Sequence, residues 1–217
     1  MSDEPGLSVT QHDGDGPAAQ EHAQPDRSQP VFYFDLGSPE AYLAAERVMA
    51  ELPVVPEWVP ILAARLSGAD RTGAPAGERR AAVERRAEEQ HVQPLRWPAD
   101  WPWDDTRVAM VGATYAKQIG RAVAFSLAAF RQAFAGGRTL DEDTVVIAAA
   151  ACEMHPRAVL QALGRRSVGA VLDEATAQAA AAGVTRVPAI ALGGRVFEGA
   201  DAVEQAAAAL TELAASS

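Results

Sequence analysis

Few residues in this chain combine a reactive group with a position that would use it. Ser38 does: it stands before Pro39 and Glu40 in DLGSPEAYLAAERV. A serine there caps a helix, proline suits the first helical position, and an acid is favourable in the first turn. The backbone N–H groups and positive end of such a helix stabilise an anion placed against them. A hydroxyl can add a charge-assisted hydrogen bond to the same anion. Capping alone also accounts for a serine at this position. Asp201 and Glu204 have the Asp-x-x-Glu spacing of a capping box at the start of a last helix. Cys152 is the single cysteine of the 217 residues. No intramolecular disulfide and no Cys-x-x-Cys pair can form, and in the run VVIAAAACEM it reads as a small core residue. His91 and His155 lack neighbours at metal-ligand spacing, and no Gly-rich phosphate cradle is present.

The elements that must position these groups are clearest near the C-terminus, in GVTRVPAIALGGRVFEGADAV from Gly183 to Val203. Gly183 follows an alanine-rich run and suits the left-handed position past a helix end. Pro188 has no amide for a central ladder, so it opens the strand Ala189 to Leu192 or lies on an edge. Gly193-Gly194 is a two-residue hairpin turn, and Arg195 to Glu198 is the return strand. At the other end, Val31 to Phe34 is an apolar strand leading through a loop to the helix at Ser38. Val54 to Val59 reads as a second strand among Pro53, Pro56 and Pro60. A polar helix is expected over Glu78 to Gln90. The Trp- and Pro-rich stretch Pro94 to Asp105 cannot be a regular helix. Amphipathic segments follow over Thr106 to Ala135, Leu140 to Glu153, Arg157 to Leu163 and Val168 to Ala182.

Composition narrows the partners. Nineteen Lys and Arg stand against 29 Asp and Glu, a net charge of −10, which disfavours nucleic acid or an anionic membrane surface. Residues 1–30 are rich in Gly, Pro, Asp, Gln and Ser and read as a disordered tail with no secretory apolar core. No stretch is long and apolar enough to span a bilayer. A cytoplasmic protein is expected.

With these elements in place, the chain resembles the DsbA-like branch of the thioredoxin superfamily. Within it, the resemblance is to the 2-hydroxychromene-2-carboxylate isomerase and kappa-class glutathione transferase group. It rests on Phe34-Asp35, Ser38-Pro39 and Tyr42-Leu43-Ala44, then Arg86-Ala87, Trp97-Pro98, Pro102 and Asp105-Thr106-Arg107 in order, and last the Val187-Pro188 hairpin. It covers roughly Val31 to Leu210. The resemblance implies an α/β thioredoxin-like domain over 31–215, with a helical insertion at about 78–165 after the second strand. It also implies a cis Val187-Pro188 bond facing the start of the Ser38 helix. Glutathione or another low-molecular-weight thiol is the implied cofactor. Ser38 would contact its sulfur as the catalytic residue, the Val187-Pro188 backbone would pair with its peptide, and Asp201 would take an ammonium. A small aromatic electrophile is the implied substrate, a homodimer the implied assembly, and isomerase or transferase the implied class. A catalytically silent thioredoxin-like binding module is the alternative.

The chain departs from that pattern in three places. Ala202 stands where relatives have Arg, Glu198 where many have Trp, and no Asn exists to serve after strand two, where Asp70 or Arg71 is the nearest polar residue. Arg186 would either bind a substrate carboxylate or be solvated. Trp97, Trp101 and Trp103 would either line an aromatic pocket or seal the insertion onto the sheet. Asp35 would either touch the same cleft as Arg186 or, as strand-end carboxylates usually do, tidy backbone amides.

Overall fold

The computed structural model describes residues 29–68 and 75–215. Strand β1 (Val31–Phe34) alternates faces, with Phe32 and Phe34 fully buried. It pairs in parallel with β2 (Glu57–Pro60) and antiparallel with β3 (Ala189–Leu192). β3 returns through Gly193-Gly194 to β4 (Arg195–Glu198), for a sheet order of β2-β1-β3-β4. Both turn glycines have positive φ, 58° and 84°, as a primed two-residue turn requires. Helix α1 (Pro39–Glu51) links β1 to β2. Between β2 and the later strands lie α2 (Ala76–Glu89), α3 (Arg107–Gln118), α4 (Ala122–Phe130), α5 (Glu142–Ala150), α6 (Pro156–Leu163) and α7 (Arg166–Ala181). Helix α8 (Ala202–Ala215) closes the described chain. The architecture is the thioredoxin-like α/β arrangement expected, with helices inserted after the second strand.

Each face of the sheet has its own apolar layer. Phe32, Phe34, Trp58, Ile190 and Phe197 join the main core with residues of α1 and α8. Val59, Ala189 and Val196 pack instead with Ile61, Val184 and Ala179 of α7. Period-two alternation makes this division automatic once the register is set.

Three expectations shift. The second strand begins at Glu57 instead of Val54, and Val54 and Val55 are exposed. Pro53 and Pro56 explain this: the first amide that can join β1 is that of Glu57, which donates to the Pro30 carbonyl at 2.8 Å. By the same bond Pro30 is part of the domain, so the N-terminal tail does not extend to residue 30; residues 1–28 lie outside the described residues. The run Thr106 to Ala135 divides at Gly120, whose φ of +73° ends α3. α4 then widens into a π-turn over Arg131–Ala135. That turn leaves the Phe134 carbonyl free to accept the Arg96 amide at 2.7 Å.

Candidate functional site

Ser38 is the N-cap of α1, and its Oγ accepts from the Ala41 amide at 3.1 Å. With no N–H on Pro39, and with the Tyr42 amide bonded to the Ser38 carbonyl, one first-turn amide stays open, that of Glu40. The single Ser38 hydroxyl proton goes to Glu40 Oε2 at 3.0 Å. Arg79 of α2 binds Glu40 through Nε and Nη2, both at 2.8 Å. The chain thus lays its own carboxylate, already neutralised by an arginine, at the positive end of α1.

The loop carrying Ser38 is held from beneath by Asp35, which is 3% exposed. One carboxylate oxygen accepts the Gly37 amide at 2.9 Å; the other accepts the Ala63 amide at 2.9 Å and the Thr106 hydroxyl at 3.0 Å. Burial raises the Asp35 carboxyl above its ordinary range, and these three bonds pull it back. Thr106 gives its hydroxyl to Asp35 and makes no cap bond of its own at the start of α3. Trp101 bridges the same loop from above, its indole N–H donating to the Gly37 carbonyl at 3.3 Å while Arg79 and Arg80 stack on its ring.

Across the sheet, Val187-Pro188 is cis, as expected. The β1–β3 register, Val31 with Ala191 through Tyr33 with Ala189, continues to bring Pro188 level with Phe34. The Val187 step and the Ser38 loop therefore leave the sheet at one end. Thr185 is fully engaged. Its amide and hydroxyl donate to Glu198, and its carbonyl accepts from Gly68 at 2.9 Å. The Arg186 amide also donates to Glu198, at 3.2 Å. The Pro188 carbonyl accepts from Gly199 at 2.9 Å. Among the described residues, the Val187 amide and carbonyl have no hydrogen-bond partner.

Asp201 stands directly before α8, as a cap should, and its carbonyl accepts the Gln205 amide at 3.0 Å. Its carboxylate is bound by Arg86 of α2, while Glu204 accepts from Arg47 at 2.8 Å instead of closing a capping box. Ser38, Val187 and Pro188 lie at the same end of the sheet, and Asp201 sits past β4 on Arg86, which also reaches Glu204 at 3.5 Å. Arg186 is solvated, with Nε 3.9 Å from Glu198. The tryptophans seal: Trp101 is buried, Trp97 lies 4.7 Å from it, and Trp97 and Trp103 each meet Phe134 at 6.0 Å. Cys152 is a buried thiol pushed up by burial. Asp70 and Arg71 lie outside the described residues. Glu40 with Arg79, and Glu198 with Thr185, were not singled out from the sequence. Glu198 did stand out as a departure, which was the available signal.

The chain matches the DSBA-like thioredoxin domain over residues 31–211 and belongs to that family. Among solved structures it is similar to a 2-hydroxychromene-2-carboxylate isomerase, with TM-score 0.74 and 22% identity over 85% of this chain and 95% of that one. It is also similar to a protein described as a probable DsbA oxidoreductase from Streptomyces coelicolor, with TM-score 0.68 and 20% identity over 85% and 88%. A DsbA variant from Pseudomonas aeruginosa aligns with TM-score 0.56 and 16% identity over 90% and 91%. No curated protein matches the chain at the sequence level. Identities this low establish a common fold.

Proposed function

We propose that the protein is a thiol-cofactor-dependent isomerase or transferase acting on a small aromatic electrophile, with glutathione or another low-molecular-weight thiol as the nucleophile. One observation carries this reading. A helix end with a serine, and an unpaired Val187 peptide edge, lie at the same end of the sheet with no cysteine on either loop. A sulfur used there must arrive with a ligand. The helix end and the Glu40 amide favour its ionised form, which is the nucleophilic one. Ser38 would reach it by turning its proton from Glu40 to the sulfur, and Arg79 would keep Glu40 neutralised meanwhile. Addition of the thiolate to an unsaturated ketone allows bond rotation and isomerisation. Attack at a carbon bearing a leaving group gives transfer. The similarity to a 2-hydroxychromene-2-carboxylate isomerase supports the first of these chemistries.

A silent binding module is the second reading, and it too has a specific observation behind it. The Ser38 proton and the Asp201 carboxylate are both already engaged within the chain. Calorimetric titration of glutathione into the wild type and the Ser38→Ala variant separates the two. Saturable binding that weakens in the variant, with turnover of a chromene or chloronitrobenzene substrate, supports the enzyme. Binding without turnover, unchanged by Ser38→Ala, supports the module.

A further inference from the structure

The loop before Val187 ties down its neighbours and leaves the Val187 N–H and C=O open. Thr185 has its amide, hydroxyl and carbonyl all committed, the first two to Glu198 and the third to Gly68. The Arg186 amide is committed to Glu198 as well, and Pro188 has no amide to offer. Of the four residues Thr185 to Pro188, only Val187 has neither its amide nor its carbonyl bonded among the described residues. The fit is close. A Cβ on Gly68 would lie 2.7 Å from the Thr185 carbonyl oxygen and 3.1 Å from its hydroxyl.

We infer that Glu198 is the positioning residue for this edge: by gathering Thr185 and Arg186 on one carboxylate it fixes the direction of the Val187 N–H and C=O toward an extended, peptide-bearing ligand. Three features of the geometry support this. Glu198 sits at the last residue of β4, so its own backbone is fixed by pairing with Ala189. Its side chain is 16% exposed, so water competes only in part for the bonds to Thr185 and Arg186. Gly199, the next residue, ties the Pro188 carbonyl from the same side. The segment from Thr185 to Pro188 is thereby held by consecutive residues of one strand end, and a ligand pairing at Val187 finds the loop already ordered.

The inference rests on the proposed function for its ligand class, and the test separates the two. S-methylglutathione keeps the tripeptide backbone and lacks an ionisable thiol, so its binding reads the peptide edge alone. It is titrated calorimetrically, beside glutathione, into the full chain as wild type, Glu198→Ala, Glu198→Gln and Thr185→Val, each checked by thermal melting. The expected result is saturable binding of both ligands to the wild type and a loss of about tenfold for both in Glu198→Ala. Glu198→Gln, whose amide oxygen still accepts from both backbone N–H groups, stays within about threefold of wild type. Should Glu198→Ala fail to fold, Thr185→Val removes only the hydroxyl donor and weakens both ligands about twofold to threefold. The inference is overturned if the wild type does not bind S-methylglutathione, if Glu198→Ala (or, where that fails to fold, Thr185→Val) binds it as wild type does, or if Gln is no better than Ala. If the pattern holds while glutathione binds no tighter than its S-methyl form and ignores Ser38→Ala, the edge stands and the thiolate reading falls.

Discussion

Asp35 and Glu198 each gather three hydrogen-bond donors on one carboxylate, and each underlies one side of the candidate site. Asp35 draws its donors from three separate segments, namely its own loop, the chain after β2 and the start of α3. Glu198 draws all of its donors from two adjacent residues. Asp35 is buried, and the charged neighbour that acts on its carboxyl is another acid, Asp105. Glu198 keeps some exposure and has Arg186 at 3.9 Å. The same chemical device therefore does two jobs. At Asp35 it binds the helical insertion to the sheet, so its loss is a loss of fold. At Glu198 it orders a short loop, so its loss is a loss of presentation.

The largest effect that would test this contrast is on stability. Asp35→Ala orphans three part-buried donors gathered on a buried carboxylate and is expected to cost roughly 3 kcal/mol in urea unfolding. Glu198→Ala is expected to cost only about 1 kcal/mol, because water can replace part of what it loses. Equal costs would break the comparison.

A second test acts on the space around Asp35. A Cβ on Gly37 would lie 2.4 Å from Thr106 Cγ2, so Gly37→Ala is expected to destabilise by about 2 kcal/mol through overpacking. Thr106→Ser keeps the hydroxyl on Asp35 and removes that methyl. The double variant Gly37→Ala/Thr106→Ser is thus expected to recover most of the loss, read by thermal melting. Failure to recover would mean that the backbone, and not the methyl, sets the tolerance of this loop.

Ser38→Ala follows, at about 1 kcal/mol for the lost cap. It leaves the Ala41 amide without its acceptor and Glu40 held by Arg79 alone. A cost of several kcal/mol would mean that Ser38 belongs with Asp35 as a structural residue.

The smallest effect is a pH dependence. The Asp35 carboxyl is raised in the fold, with burial as the largest cause, so the folded chain binds this proton more readily than the unfolded one. Its contribution to stability is fully present below the unfolded carboxylate value of about 4 and is lost as pH rises through the folded value. The stability of wild type relative to Asp35→Asn should accordingly fall as pH rises above about 4 and level off once the folded carboxyl is ionised. A rise over that window would mean that the three hydrogen bonds outweigh burial.

Much of this was legible in the sequence, for reasons that are local. Ser-Pro-Glu marks a helix start through capping and φ, and Gly-Gly between two short apolar runs marks a hairpin. Both signals lie within a few residues of the structure they predict. The cis bond at Val187-Pro188 came from family resemblance, since proline alone does not choose the isomer. What escaped were pairings between distant charges. Glu40 meets Arg79 39 positions away, and Asp201 meets Arg86 115 positions away. Such partners share no periodicity, and each residue taken alone looks like an ordinary solvated charge on a helix. The shift of β2 had another origin: valines at 54 and 55 favour a strand by propensity, but the neighbouring prolines deny it the amides to pair.

The tie between the Trp101 indole and the Gly37 carbonyl has an optical consequence. Gly37 directly precedes Ser38, and the Trp101 ring lies under two guanidinium groups. Indole emission responds in colour and yield to hydrogen bonding and nearby charge. The residue that braces the Ser38 loop is therefore also a native chromophore reporting on it, and with Trp58, Trp97 and Trp103 replaced by phenylalanine its fluorescence would follow events at the start of α1 without an added label.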